Sequence, residues 1–340
     1  MPAQRVSGGL FDLQVNGFAG VDFNDASLTA EALDHALTAI LRTGVTHCLP
    51  TLITATPQAL AARLAALDTA VRGSRLGPVM VPGYHIEGPF LNETPGYAGC
   101  HPPEAMADPD PALYDHLSVG LSRPVLLVTL APERAGALDL ARRLAGQGVT
   151  LALGHTAARF ANVRAAVAAG ASLSTHLGNG LPQTLPKLDN TLIAQLAEPG
   201  LAACLIADGH HIPPEALAAL IRLKGADRVI LVTDAVLAAD APPGIYQFAG
   251  MQIERTAEGA MVQPGRSNLA GSALCLDQAV RNVVAWGIAS PDQALGWAGQ
   301  APRSALARSL AAHGITLDPG GVEWSDALEP LAVTPGRVMA

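Results

Sequence analysis

The chain has 340 residues, 49% of them hydrophobic and only 15% charged, which excludes a disordered polymer and leaves enough length for one large core or two smaller ones. Lys and Arg number 21 against 29 Asp and Glu, a net charge of -8, and no basic run offers a footprint for phosphodiester backbones, so no nucleic-acid partner is expected. Apolar residues are dispersed rather than gathered into a stretch of spanning length, and MPAQRVSGGLFD lacks the apolar core of a secretory signal; a soluble, cytoplasmic protein with no membrane partner is expected.

Short β-branched or apolar runs alternate with Ala/Leu-rich stretches of helical period, the pattern of repeated βα units. In chain order the predicted strands are Leu10–Val15, Val45–Leu49, Val79–His85, Pro124–Leu130, Thr150–Leu153, Ala171–Thr175, Ala202–Ile206 and Arg228–Val232. Helices are predicted between them near Ala30–Leu41, Pro57–Val71, Ala135–Gln147, Arg159–Ala169, Thr191–Ala197 and Pro214–Leu223, several stopping at a glycine such as Gly148 or Gly170. The expectation is an α/β chain forming a closed (β/α)8 TIM-type barrel. After the eighth strand, Gly244–Phe248, Met251–Glu254 and Ala260–Val262 predict a small β excursion at about 242–265. Helices follow near Ala273–Trp286, Pro291–Gly299 and Pro302–His313. The expected division is a catalytic barrel domain over 1–315 and a C-terminal tail over 316–340. Cys48, Cys100, Cys204 and Cys275 show no CxxC spacing and read as small hydrophobes in a reducing compartment.

In such a barrel the C-terminal rim carries chemistry and the opposite rim carries stability. Four predicted strands finish in ionisable residues. VMVPGYHIEGPF delivers His85 and Glu87, TLALGHT delivers His155, ASLSTHLGNG delivers His176 and VILVTDA delivers Asp234. One carboxylate and two neutral imidazoles converging on a point match a catalytic divalent-metal site, with zinc as the default ion and iron, manganese or cobalt accepting the same ligands. Asp234 is placed to take a proton from water at that site and pass it to a leaving group. Where many barrel metallohydrolases end the first strand in His-x-His, this chain has Leu13-Gln14-Val15-Asn16-Gly17, so a single ion is expected. A structural role is expected for His47, and ordinary surface or packing roles for His35, His116 and His313.

Across most of its length the chain resembles the N-acetylglucosamine-6-phosphate deacetylases of the amidohydrolase superfamily. The motifs that carry the resemblance are GGLFDLQVNGFAGVDFND, HIEGPFLN, GHT, THLGN, ADGHHIPP, LVTDA and LAGSALCLDQAV, in that order. The resemblance implies that Glu87, His155 and His176 ligate the metal and that Asp234 is the acid/base. It also implies that His101, His211 and the backbone of Asn179 and Gly180 surround the sugar. The stretch from Leu269 through Ala270 and Gly271 to Leu274 would line the acyl pocket, and the assembly would be a homodimer.

Three departures bear on these implications. The first barrel strand begins at Leu10, so the family's small β-sandwich is expected to be reduced or absent, with the tail as a possible remnant. The loop after the sixth strand reads His176-Leu177-Gly178-Asn179-Gly180-Leu181, a less bulky wall than the family's. A phosphate-gripping Arg is replaced by Lys187, which cannot make a bidentate fork, and Tyr97 replaces another basic residue. The expected activity is metal-dependent hydrolysis of the acetamide of N-acetylglucosamine 6-phosphate. The alternatives are deacylation of another N-acyl amino sugar or N-acyl amino acid, or a catalytically silent barrel acting as a binding subunit.

Overall fold

In the computed structural model, residues 5–265 and 268–339 are described; 1–4 and 340, at the ends of the expected domains, lie outside them, as do 266–267. Eight parallel strands pair in sequence order: β1 (Leu10–Val15), β2 (Val45–Ile53), β3 (Tyr84–Glu87), β4 (Val125–Leu130), β5 (Thr150–Leu153), β6 (Ala171–Ser174), β7 (Ala202–Leu205) and β8 (Val229–Leu231). Nearly every strand residue is buried, because the outer face meets helices and the inner face meets other strands. The helices show why they form. Ala30–Arg42 is capped by Thr29, whose hydroxyl accepts from the amide of Ala32, and turns Leu33, Ala36, Leu37 and Ile40 inward at helical spacing.

The barrel is nearly closed. Between β8 and β1 the seam is made by isolated contacts rather than a continuous ladder: the amide of Asp234 donates to the Gln14 carbonyl at 3.0 Å and that of Asn16 to the Ala235 carbonyl at 2.7 Å. The Asp12 carboxylate reinforces it, accepting from the Thr233 hydroxyl at 2.6 Å and the Thr233 amide at 3.2 Å. Burial pushes the Asp12 carboxyl up to about 7.

Two strands differ from expectation by more than one residue at an end. The third begins at Tyr84 instead of Val79, since Gly77–Met80 closes a helical turn with Pro78 in its first turn. The second runs on to Ile53, past Pro50.

The excursion forms as a three-stranded antiparallel sheet, β9 (Gly244–Phe248), β10 (Met251–Arg255) and β11 (Met261–Val262). It packs Phe248, Ile253 and Met261 with Ile53, Val236 and Ala270 into a small core separate from that of the barrel. The tail is strand rather than coil. Gly321–Trp324 pairs with both Arg5–Ser7 and Pro330–Thr334, and Thr316–Asp318 pairs with Arg337–Met339. A reduced β layer is therefore present, and it recruits the first described residues. It closes the N-terminal end of the barrel, where the Pro319 carbonyl accepts from the Gly9 amide and the Thr46 hydroxyl. Among the described residues no helix is long and apolar enough to cross a membrane.

Candidate metal centre and active site

Glu87 ends β3, while His155, His176 and Asp234 each follow an apolar strand within three residues. The last three adopt left-handed backbone, with φ of 49°, 27° and 51°. Such angles are uncommon for residues bearing a side chain, and here they turn all three into the mouth of the barrel. The turn after His155 is held by Glu133, whose carboxylate accepts from the Ala157 amide, the Thr156 hydroxyl and, at 2.8 Å, the Asn92 side chain. That contact explains why HIEGPFLN and GHT act together: one carboxylate clasps both loops.

Glu87, His155 and His176 are buried and each offers one ligand atom, all within 4.8 Å of one another. His176 Nε2 stands 3.0 Å from Glu87 Oε1 and 3.1 Å from His155 Nε2, and His155 Nε2 stands 3.4 Å from Glu87 Oε1. Adjacent ligands on a tetrahedral ion with bonds of about 2.0–2.1 Å stand roughly 3.3 Å apart, so these spacings fit one divalent ion. The proton positions agree. His155 Nδ1 donates to the Tyr97 carbonyl at 2.8 Å, which fixes the ring's tautomer and turns the Nε2 lone pair toward the cluster. Gly180 presses on the same ring, where a Cβ would come within 2.7 Å of Nδ1. Burial alone would raise the Glu87 carboxyl, but the imidazoles of His155 and His176 set against it, with the charge of the neighbouring histidines, hold it well below the usual range. His176 is raised by Glu87 against its own burial.

Asp234 is half-buried beside this cluster, and desolvation, then the Glu87 charge, pushes its carboxyl up to about 6. Two side-chain amides hold it, one from β1 and one from the residue that follows it. Gln14 Nε2 donates to Glu87 Oε2 at 3.1 Å and to Asp234 Oδ1 at 3.0 Å, and Asn16 Nδ2 donates to Asp234 Oδ1 at 2.7 Å. Gln14 thus tethers two carboxylates that would otherwise repel.

The cluster and Asp234 open into a cavity of about 430 Å³. His101, Asn179, Gly180, His211, Leu269 and Gly271 all line it. His101 donates through Nδ1 to the Thr54 hydroxyl at 2.9 Å, since that hydroxyl spends its own proton on the Glu87 carbonyl; burial, aided by the charge of His155, pushes its pKa down to about 3. The two histidines of ADGHH separate. His210 reaches the Glu258 carbonyl at 3.1 Å, whereas His211 Nδ1 lies 2.6 Å from Asp208 Oδ2. Burial would raise Asp208, but its bond to His211 and that ring's charge hold it low.

Some expected positions fall elsewhere. Lys187 is exposed and outside the cavity lining, because the backbone around it turns away to meet Asn190, the cap of helix Thr191–Ala197. Ala270 is fully buried behind Leu269 and Gly271, in the small core. His85 lies inside the barrel below Glu87, its Nε2 2.8 Å from the Thr129 hydroxyl. All four cysteines are free; Cys48 and Cys204 are buried, whereas Cys100 and Cys275 are half-buried, Cys100 lining the cavity against the small core. Gln14, Asn16 and Asp208 were not among the expected site residues. The sequence carries a signal for each. Asp12, Gln14 and Asn16 alternate with Leu13 and Val15, so Asp12 and Gln14 share the inner face of β1 and Asn16 continues it one residue beyond, and Asp208 stands just past the end of β7.

No family model matches the chain. It is 36% identical over 312 residues to an N-acetylgalactosamine-6-phosphate deacetylase of Escherichia coli O157:H7, covering 91% of this chain and 79% of the relative. An N-acetylglucosamine-6-phosphate deacetylase of Lysinibacillus sphaericus is 32% identical over 281 residues, covering 81% and 69%. Among solved structures, a point mutant of N-acetyl-D-glucosamine-6-phosphate deacetylase from Mycobacterium smegmatis, in complex with N-acetyl-D-glucosamine-6-phosphate, matches with a TM-score of 0.86 at 29% identity, covering 98% of this chain and 86% of that one.

Proposed function

The chain belongs to the N-acetylglucosamine-6-phosphate deacetylase family of the amidohydrolase superfamily, and from that premise we propose that it hydrolyses the acetamide of N-acetylglucosamine 6-phosphate to glucosamine 6-phosphate and acetate. The observation that carries the reading is the convergence of Glu87, His155 and His176, with Asp234 tied to them through Gln14. These three residues would hold one divalent ion, zinc by default, with iron, manganese or cobalt as substitutes. Such an ion lowers the pKa of water toward neutrality and polarises a carbonyl.

The rest of the chemistry belongs to the chain. Gln14 and Asn16 both donate to Oδ1 of Asp234, leaving Oδ2 for proton transfer. A carboxyl near 6 is largely ionised at neutral pH, so it accepts the proton of the attacking water, and it is acidic enough to return that proton to the departing amine. His211, oriented by Asp208, presents Nε2 to the oxygen on which charge develops. His101, Asn179 and Gly180 flank the sugar, and Leu269 and Gly271 bound the acyl side. We keep Lys187 and Ala270 as outer contributors only.

One observation favours a second reading: among the described residues no Lys or Arg lines the cavity. That leaves room for an N-acyl amino sugar without a phosphate. Acetate release from N-acetylglucosamine 6-phosphate, its galactosamine counterpart and unphosphorylated N-acetylglucosamine, with metal analysis of the same sample, tests both. Turnover at least about tenfold faster on a phosphorylated sugar is expected; equal rates would move the assignment to the second reading. We further read the working unit as a homodimer in the cytoplasm, with 1–315 as the catalytic domain and 316–340 as the remnant of the small β layer; a monomer by light scattering would remove the first point.

A further inference from the structure

The cavity has two unlike walls. One, from the loops after β6 and β7, presents Asn179, Gln183 and His211. The other presents Ile53, Val236, Phe248 and Leu269. Three of these four belong to the small core built by the β9–β11 excursion, not to the barrel core. Asp234 and the Glu87 cluster fix where the reacting carbonyl must be. From that carbon the acyl chain and the amine leave in opposite directions. The amine carries a ring of hydroxyls that needs hydrogen-bonding partners, so it takes the polar wall; the acyl chain needs none and takes the apolar one.

We propose that Phe248 is a specificity-determining residue that sets the length of the acyl chain the enzyme accepts; this rests on the deacetylase reading above. Phe248 ends β9 and is 1% exposed, packed on the small core behind it, so the ring cannot retreat. The turn that follows is pinned to the barrel at two points. The Ala249 amide donates to Asp22 Oδ2 at 2.7 Å, and the Ala249 carbonyl accepts from Arg63 Nη2 at 3.0 Å. A wall so anchored measures chain length instead of yielding to it.

The test is a series of 2-acylamido glucosamine 6-phosphates carrying acetyl, propanoyl and butanoyl groups. For the unaltered protein kcat/KM should fall by about 10–200-fold per added methylene. Phe248→Ala should raise the butanoyl-to-acetyl ratio about tenfold or more, Phe248→Leu should move it the same way by less, and Phe248→Trp should depress propanoyl turnover. A ratio within about twofold of the unaltered protein in the Ala and Leu variants, with cooperative thermal melts, would overturn the proposal. Should the Ala variant fail to fold, the Leu and Trp variants decide in the same terms. Absence of hydrolysis across the whole series would instead defeat the deacetylase reading itself, and this proposal with it.

Discussion

The two ends of the barrel each bury a histidine, and the contrast between them separates stability from chemistry. At the N-terminal end, His47 has Nδ1 3.2 Å from the Thr46 hydroxyl and Nε2 3.4 Å from the Arg337 carbonyl; burial, with the Arg303 charge, pushes its pKa down to about 4. It is neutral and satisfied. At the C-terminal end, His176 Nδ1 has no partner, and its Nε2 faces both a carboxylate and the lone pair of another imidazole. That arrangement is at ease only with a cation or a shared proton at its centre. Backbone follows the same division. The turns that lead into β5 and β6 at the stable end use glycines, Gly148 at φ 83° and Gly170 at φ 112°, whereas the turns that leave β5, β6 and β8 at the rim place His155, His176 and Asp234 in that region.

The contrast breaks most directly at Asp234. Asp234→Asn should lose turnover by about 10²–10⁴-fold while metal analysis still finds the ion; full turnover would place proton transfer elsewhere. Next in size is the seam, where Asp12 links the two ends through β1. Its carboxyl is raised from 3.8 to about 7, so the fold favours the protonated form; that stabilisation is complete below pH 3.8 and is lost as pH rises through about 7. Measured by urea unfolding, the unaltered protein should lose about 4 kcal/mol relative to Asp12→Asn across that window; a pH-independent difference would show that Asp12 is not the titrating group. At the stable end, Gly170→Ala should cost about 1–2 kcal/mol from backbone alone, and more because its Cβ would meet Ala145 Cβ at 2.5 Å. Its kcat should not change, and a fall in kcat would blur the division. The smallest effect is expected at Asp208→Asn, about tenfold in kcat, through loss of the carboxylate that orients His211. An additive loss in the double variant with His211→Ala would show that the pair does not act as a unit.

How much of this was legible in the sequence depended on whether residue type or geometry decides. Leu10–Val15 and Thr150–Leu153 fall where their apolar runs predict, because buried parallel strands announce themselves by composition. Val79 to His85 does not, because an apolar run containing Pro and Gly suits a helical turn as well as a strand. At the site, Glu87, His155, His176 and Asp234 were readable as ionisable residues at the ends of apolar strands. The Tyr97 carbonyl that orients His155 was not, since every residue has a carbonyl and only the fold selects one. Lys187 was singled out by its place in the resemblance, and the direction of its side chain was not legible: it is set by a loop that the Asn190 cap turns outward.

The seam has a consequence for the order of folding. Asp12 and Thr233 are 221 positions apart in the chain of 340, so the contacts between them wait on closure of the whole strand-bearing part of the barrel. The amide of Asp234 belongs to that same late stitch. A nascent chain that has paired seven strands in succession still holds no Asp234 carboxylate at its mouth; that proton acceptor is set in place only when the eighth strand closes the ring.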